Sequence, residues 1–444
     1  MSNYSDIGIQ APVSLIPINN VDLEKWAVVA CDQFTSQPEY WQAVEEMVSD
    51  DPSAYHIILP EAYLGTPIEE THQILIPKKM RAYLANHLFS AFEGMIYLER
   101  YMHCKTRKGL IAALDLDQYD YHPSSQSLIR ATEGTILERI PPRVKIRQQA
   151  PLEIPHVMVL IDDPNQTVIE PLGKISGQQY PLYDFELMMG GGHIRGFLVN
   201  QKETENRIVS ALRALLSPEI QRRRYHLGDG DSRLLFAVGD GNHSLATAKS
   251  IWENIKSTAA PEHPARYAMV EIVNIHDNAI TFEPIHRVIK ACPVDILQSA
   301  KEFFDQKMRV QMCSDFSEMQ TVVLNDSQEA LTIGVFDQSM FTAIKPAEPQ
   351  HTLAVGNLQI FLDNLLSQYP QMEIDYIHGD EAIHKLGCQP GHTGFFLPAM
   401  MKDQLFSSVI HDGPLPRKTF SMGEAHEKRY YLESRLIQEI RYEP

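Results

Sequence analysis

The segment Phe236-Ala237-Val238-Gly239-Asp240-Gly241-Asn242-His243-Ser244 holds the densest run of residues able to do chemistry. An apolar strand should end in Gly-Asp-Gly, and Asn-His-Ser should open a helix over Leu245–Ile255. Gly239 and Gly241 permit a tight turn and a close backbone approach. The N–H groups of the helix start, with the dipole behind them, favour an anion. Asp240 could hold a metal ion, and His243 could donate to a phosphate or move a proton. The plain alternative is a strand–helix turn capped by Asn242 or Ser244. Ser244 stands where G-x-G-x-x-G has its third glycine. No acidic residue ends a strand at the expected distance downstream, so the pattern is not a dinucleotide fingerprint.

A second group runs Arg130-Ala131-Thr132-Glu133-Gly134-Thr135, then Pro141-Pro142-Arg143-Val144-Lys145-Ile146-Arg147. The prolines start a helix that sets Arg143 and Arg147 on one face. With Arg130 and Arg139 they could clamp a phosphate, since guanidinium suits bidentate oxyanion binding. Glu133 could serve as general base or metal ligand; a solvated, charge-balanced face is the alternative. His286 and Arg287 follow Pro284-Ile285 at an expected strand end and could meet an anion. Near the C-terminus, Pro416-Arg417-Lys418-Thr419-Phe420 leads into His426-Glu427-Lys428-Arg429-Tyr430-Tyr431. The basic residues there could close over a ligand. Tyr430 stands where a zinc protease needs its second histidine, so H-E-x-x-H is absent. Asp32, in Ala30-Cys31-Asp32-Gln33-Phe34, follows a short strand where α/β proteins bind ligands, and Cys31 reads as a small buried residue. Met189-Gly190-Gly191-Gly192-His193 is a flexible loop, a lid or only a bend.

These residues must be positioned by alternating strands and helices. Strand-like runs are Trp26–Ala30, Tyr55–Leu59, Val157–Ile161, Leu234–Val238, Tyr267–Val273 and Leu331–Phe336. Helix-like runs are Gln37–Met47, Lys78–Phe92, Asn206–Leu216, Leu245–Ile255, Val294–Phe304 and Leu358–Leu366. The interleaving predicts an α/β or α+β architecture. Ala268–Asn274 and Ala279–Glu283, around Asp277-Asn278, suggest an antiparallel hairpin and hence a mixed sheet. The expected division is a nucleotide and substrate domain over 1–290, and a second α/β domain over 291–444 that contributes to the cleft.

Composition narrows the partners. Over 444 residues, 44% are hydrophobic and 22% charged, which is ordinary globular usage. The formal charge of −18 lacks the field of a dedicated duplex binder. Five scattered cysteines without a C-x-x-C pair indicate neither a disulfide framework nor a zinc ribbon. No signal peptide and no membrane span are expected, so the expected location is the cytoplasm.

The order of motifs resembles a large uncharacterised bacterial family, domain of unknown function 1015. It comprises Asp32 near the start, Arg130 with Thr132-Glu133-Gly134-Thr135 in mid-chain, and Asp240-Gly241-Asn242-His243. Pro284-Ile285-His286-Arg287 and the late Pro416-Arg417-Lys418-Thr419-Phe420 complete it, over about Trp26 to Tyr431. Family members usually read Asp-Gly-His-His-Arg-Tyr where this chain reads Asp240-Gly241-Asn242-His243-Ser244-Leu245. That segment is also similar to the phosphate-binding turn of the ParB/sulfiredoxin-like superfamily, which includes free-serine kinases. The resemblance implies a ParB/sulfiredoxin-like core and transfer of a phosphoryl group from ATP or ADP to a small hydroxylated metabolite such as serine. It implies Asp240 and His243 at the phosphates, Glu133 as base and Mg²⁺ as cofactor. Ser244 in place of arginine removes a charge that Arg130, Arg143, Arg147 or Arg287 would have to supply. A metal-dependent hydrolase built on Asp240, His243, Glu133 and His286 uses the same residues, and a non-catalytic nucleotide-binding regulator is the third reading.

Overall fold

The computed structural model describes residues 2–102, 104–134, 140–228, 230–326, 330–440 and 442. The chain forms two compact units. One comprises Met1–Ile280 and Gly423–Pro444, the other Thr281–Met422. The units divide at Ile280/Thr281, ahead of the expected boundary at residue 290, which is the last residue of a strand, Phe282–Lys290. The last segment belongs with the first unit, because its strands pair there.

The first unit is built on an 11-stranded mixed sheet. Its path runs Tyr183–Leu187, Gly192–Val199, Met95–Met102, Lys105–Asp115, Tyr267–Asn274, Met158–Ile161, Phe236–Asp240, Ile129–Ala131, Tyr119–Asp120. Parallel pairing joins Met158–Ile161 to Tyr267–Asn274, and Phe236–Asp240 to Ile129–Ala131. Met158–Ile161 runs antiparallel to Phe236–Asp240. The central strands are buried on both faces, which is why they read as largely apolar runs, Met158–Ile161 wholly so and Tyr267–Asn274 broken by Glu271 and Asn274. Along Tyr267–Asn274, Val270 and Ile272 join one core, with Leu245, Ala248 and Trp252 of the helix Asn242–Ile255. Met269 points the other way, into a core with Trp26, Trp41 and Met80. The C-terminal Tyr430–Tyr431 pairs antiparallel with Val28–Val29, and Arg435–Leu436 with Leu152–Glu153.

The second unit holds a seven-stranded sheet whose pairs are all antiparallel. Phe282–Lys290 pairs with His392–Phe396, Glu373–His378 and Phe420–Met422. Val288, Met319, Val323, Phe336 and Phe396 form its core.

Three expectations change. Tyr55–Leu59 is not a strand: Ala54–Ile57 is a 3-10 turn, because the Ser53 hydroxyl accepts the Tyr55 N–H at 3.1 Å and starts it. Lys78–Phe92 divides into the end of a helix, Pro67–Ala85, and a strand, Phe89–Glu93. The hairpin around Asp277-Asn278 does not form. Its two arms enter different sheets, and this turn carries the chain from one unit to the next.

Candidate functional site

Phe236–Asp240 ends at Asp240, and Gly241 turns directly into the helix Asn242–Ile255. Gly241 has φ +77°, and a Cβ there would lie 3.0 Å from the Val157 Cα. Left-handed backbone and close approach both require glycine. No side chain caps the first helical turn, so its N–H groups are not taken up by a capping residue. The Asn242 Oδ1 atom beside it is buried without a hydrogen-bond partner. His243 and Ser244 complete the turn.

Other segments deliver charge to this point. Lys428 Nζ lies 3.4 Å from Asp240 Oδ2, both side chains mostly buried. The same ammonium acts on Asp32, which follows Val28–Val29. Burial alone would raise the Asp32 carboxyl. The His156 imidazole, the Gln33 amide and the Lys428 ammonium outweigh burial and hold it below its ordinary range. Asp32 is therefore ionised at neutral pH, with its side chain 26% exposed. His156 Nε2 lies 3.9 Å from Asp32 Oδ2 and 3.5 Å from Ser244 Oγ. Its Nδ1 shares a 2.8 Å hydrogen bond with the Tyr431 hydroxyl, which also accepts the Cys31 N–H at 3.3 Å. Burial and the neighbouring Asp32 charge push the Cys31 thiol up to about 11, so Cys31 is not a nucleophile at neutral pH.

The segment carrying Lys428 is held from beneath. Arg100 and Arg107 face each other across adjacent strands, and both are buried. Arg100 donates to the carbonyls of Lys428 at 2.5 Å, His426 at 2.6 Å and Gly191 at 2.7 Å. Arg107 donates to the Glu427 carbonyl at 2.7 Å and pairs with Glu271 at 3.3 Å. Arg429 bridges Glu271 at 2.9 Å and Glu433 at 2.6 Å. Gly191 has the Tyr430 ring packed where a Cβ would go, so this glycine loop is a packed seat rather than a lid.

The remaining sequence candidates divide. Ile129–Ala131 runs parallel to Phe236–Asp240 with Ala131 opposite Val238, and Glu133 follows two residues beyond the end of that strand. Arg143 and Arg147 line a cavity together with Ser244. Their charges are not open, since Arg143 pairs with Glu61, and Arg147 with Glu153 at 2.5 Å. Arg130 is a correction. It is buried and donates to the carbonyls of Ser127 at 2.9 Å, Ser232 at 3.3 Å and Arg233 at 3.1 Å, bracing loops rather than a phosphate. Thr135 and Arg139 lie outside the described residues.

His286, Arg287 and Lys418 belong to the second unit. His286 is buried, accepting the Leu397 N–H at Nδ1 and meeting Asp380 at 3.2 Å. Arg287 is buried with its guanidinium on the carbonyls of Ile285 and Arg417 and over the Tyr376 ring. Both side chains serve the packing of that unit. Lys418 is exposed there.

Among the described residues, no three or more His, Cys, Asp or Glu side chains are grouped to hold a metal. A divalent cation at Asp240 would draw its other oxygens from phosphate and water, as Mg²⁺ often does. No helix among the described residues is long and apolar enough to cross a membrane.

A family profile described as protein of unknown function (DUF1015) matches residues 15–364. The chain belongs to this family. Nothing among curated proteins matches this DUF1015 chain. Among solved structures it is similar to a free serine kinase variant in complex with ADP, at 9% identity and a TM-score of 0.39, covering 74% of this chain and 92% of that one. It is also similar to a conserved hypothetical protein from Pyrococcus furiosus, at 10% identity and a TM-score of 0.36, covering 72% and 93%. A third is SbnI with C-terminal truncation from Staphylococcus aureus, at 10% identity and a TM-score of 0.31, covering 74% and 84%.

The sequence reading passed over His156, and it took Lys428 and Tyr431 only as part of a basic segment. The signal for His156 is its place just before the apolar run Val157–Ile161, whose antiparallel partner ends in Asp240.

Proposed function

We propose that the first unit transfers a phosphoryl group from ATP or ADP to the hydroxyl of a small molecule. One observation carries this reading: Lys428 stands against Asp240 at the head of an uncapped helix and acts electrostatically on Asp32 as well. Phosphoryl transfer needs charge neutralisation and positioning more than covalent catalysis. The helix start and Lys428 receive the transferred phosphate. Asp32, held ionised, orients the acceptor hydroxyl and accepts its proton. Glu133, just beyond the strand that pairs with Phe236–Asp240, is the second carboxylate proposed for this role. Mg²⁺, when bound with the nucleotide, would supply charge neutralisation at Asp240. In the absence of an acceptor, the same groups would pass the phosphate to water, which is the hydrolase reading.

The test incubates the full chain with ATP or ADP, Mg²⁺ and mixtures of hydroxylated metabolites, followed by ³¹P NMR. A new phosphomonoester resonance is the expected result, and Asp32→Asn should reduce its rate on the order of 10²-fold. Inorganic phosphate released alike with and without acceptors would favour hydrolysis. No change in either nucleotide would reject both.

A further inference from the structure

Next to His156 lies a cavity of about 160 Å³, bounded by the helix Asn242–Ile255, by Met80 and by Ile57–Leu59. Its walls are dominated by aliphatic side chains, among them Ile58, Met80, Ile146 and Leu245. Polar groups gather at the part formed by Cys31, His156, Ser244 and Tyr431; Asp32, not itself on the wall, lies 3.9 Å from His156 Nε2. The charged groups on its wall already neutralise each other. Arg143 is engaged by Glu61. Glu153 takes Arg147 at 2.5 Å, Arg435 at 2.8 Å and the Met269 N–H at 2.8 Å, which fills its acceptor positions. Along this wall a ligand's ammonium and carboxylate would lose their hydration and meet no open counter-charge. An apolar chamber of roughly 150 Å³ suits a body of benzene's size.

We infer that this chamber binds an uncharged molecule with an apolar body of about six carbons, and that this molecule is the acceptor alcohol, its hydroxyl directed to the His156 end. The inference rests on the phosphoryl-transfer reading for the acceptor's role. It replaces a zwitterionic amino acid such as serine with an aliphatic or aromatic alcohol.

Benzene, titrated calorimetrically into the full chain, is the probe for the chamber itself. Binding is expected, and Ala248→Leu, which adds carbons to the wall, should weaken it about tenfold. Met80→Ala, which cannot overpack, should keep benzene binding and admit naphthalene. A wild-type chain that takes up no benzene overturns the inference, as does displacement of benzene by adenosine or by serine. In the transfer assay, benzyl alcohol phosphorylated in preference to serine supports the acceptor's role, and the reverse order overturns it. Benzene bound as expected, with transfer to no alcohol, supports the apolar site and overturns the phosphoryl-transfer reading.

Discussion

Glu133 and Asp32 compete for one role, and their surroundings separate them. Asp32 has an imidazole, an amide and an ammonium acting on its carboxylate, whereas Glu133 follows the strand that pairs with Phe236–Asp240. If Asp32 is the base, Glu133→Gln should slow turnover less than tenfold, while Asp32→Asn costs on the order of 10²-fold. Single-turnover rates of the two variants check this, and the reverse order would return the base to Glu133. The Gly-Asp-Gly turn was legible in the sequence because glycine spacing and a helix start are local signals. Arg130 was misleading for the opposite reason. Its carbonyl partners come from two loops far apart in sequence, and residue type alone does not say whether a guanidinium faces solvent, a carboxylate or a buried carbonyl. His156 carried no motif, since its significance lies in an antiparallel neighbour more than eighty positions away.

The turn at Gly241 and the Lys428 segment are where the fold fixes the site. Gly241→Ala meets both a left-handed φ and the Val157 backbone, so it should cost about 1–3 kcal/mol, read as a lower urea midpoint at unchanged slope. The Lys428 segment depends on buried ion pairs. Burial would raise the Glu271 carboxyl above its ordinary 4.5, but Arg107 and Arg429 outweigh burial and hold it lower. Glu153 is likewise held low, by Arg435 and Arg147 against burial. A folded-state value below the unfolded one gives stability that is complete above about pH 5 and lost as pH falls through the depressed values. The urea midpoint should therefore stay level from pH 6 to 7 on account of these groups and drop steeply below pH 4.5. Elements with strong periodicity, such as Asn242–Ile255 and Tyr267–Asn274, were read correctly. Tyr55–Leu59 was not, because a single serine hydroxyl redirected an apolar run.

The whole chain is one unit interrupted by another. Sequence alternation announced α/β structure throughout, yet it gave no hint that the last strands return to the first unit. A two-residue strand such as Tyr430–Tyr431 is too short to carry a pattern, and its partner lies at the other end of the chain. Removing Gly423–Pro444 would leave Glu271 without Arg429 and Glu153 without Arg435, inside a core. Each carboxylate would keep one arginine, Arg107 or Arg147, but the unit would also lose the strand pairs made by Tyr430–Tyr431 and Arg435–Leu436. The truncated chain should thus lose protease resistance across Met1–Ile280 while Thr281–Met422 keeps its own, and limited proteolysis with mass spectrometry reads both. A consequence follows for the order in which a cell makes this protein. Synthesis, at roughly 5–20 residues per second, delivers Met1–Ile280 first and Lys428 only after the interrupting unit. The interrupting unit leaves the ribosome complete while the surrounding one still lacks its closing strands. Any chain released early carries Asp32 and Asp240 but not the cation between them. The proposed transfer would be silent until synthesis has passed Lys428.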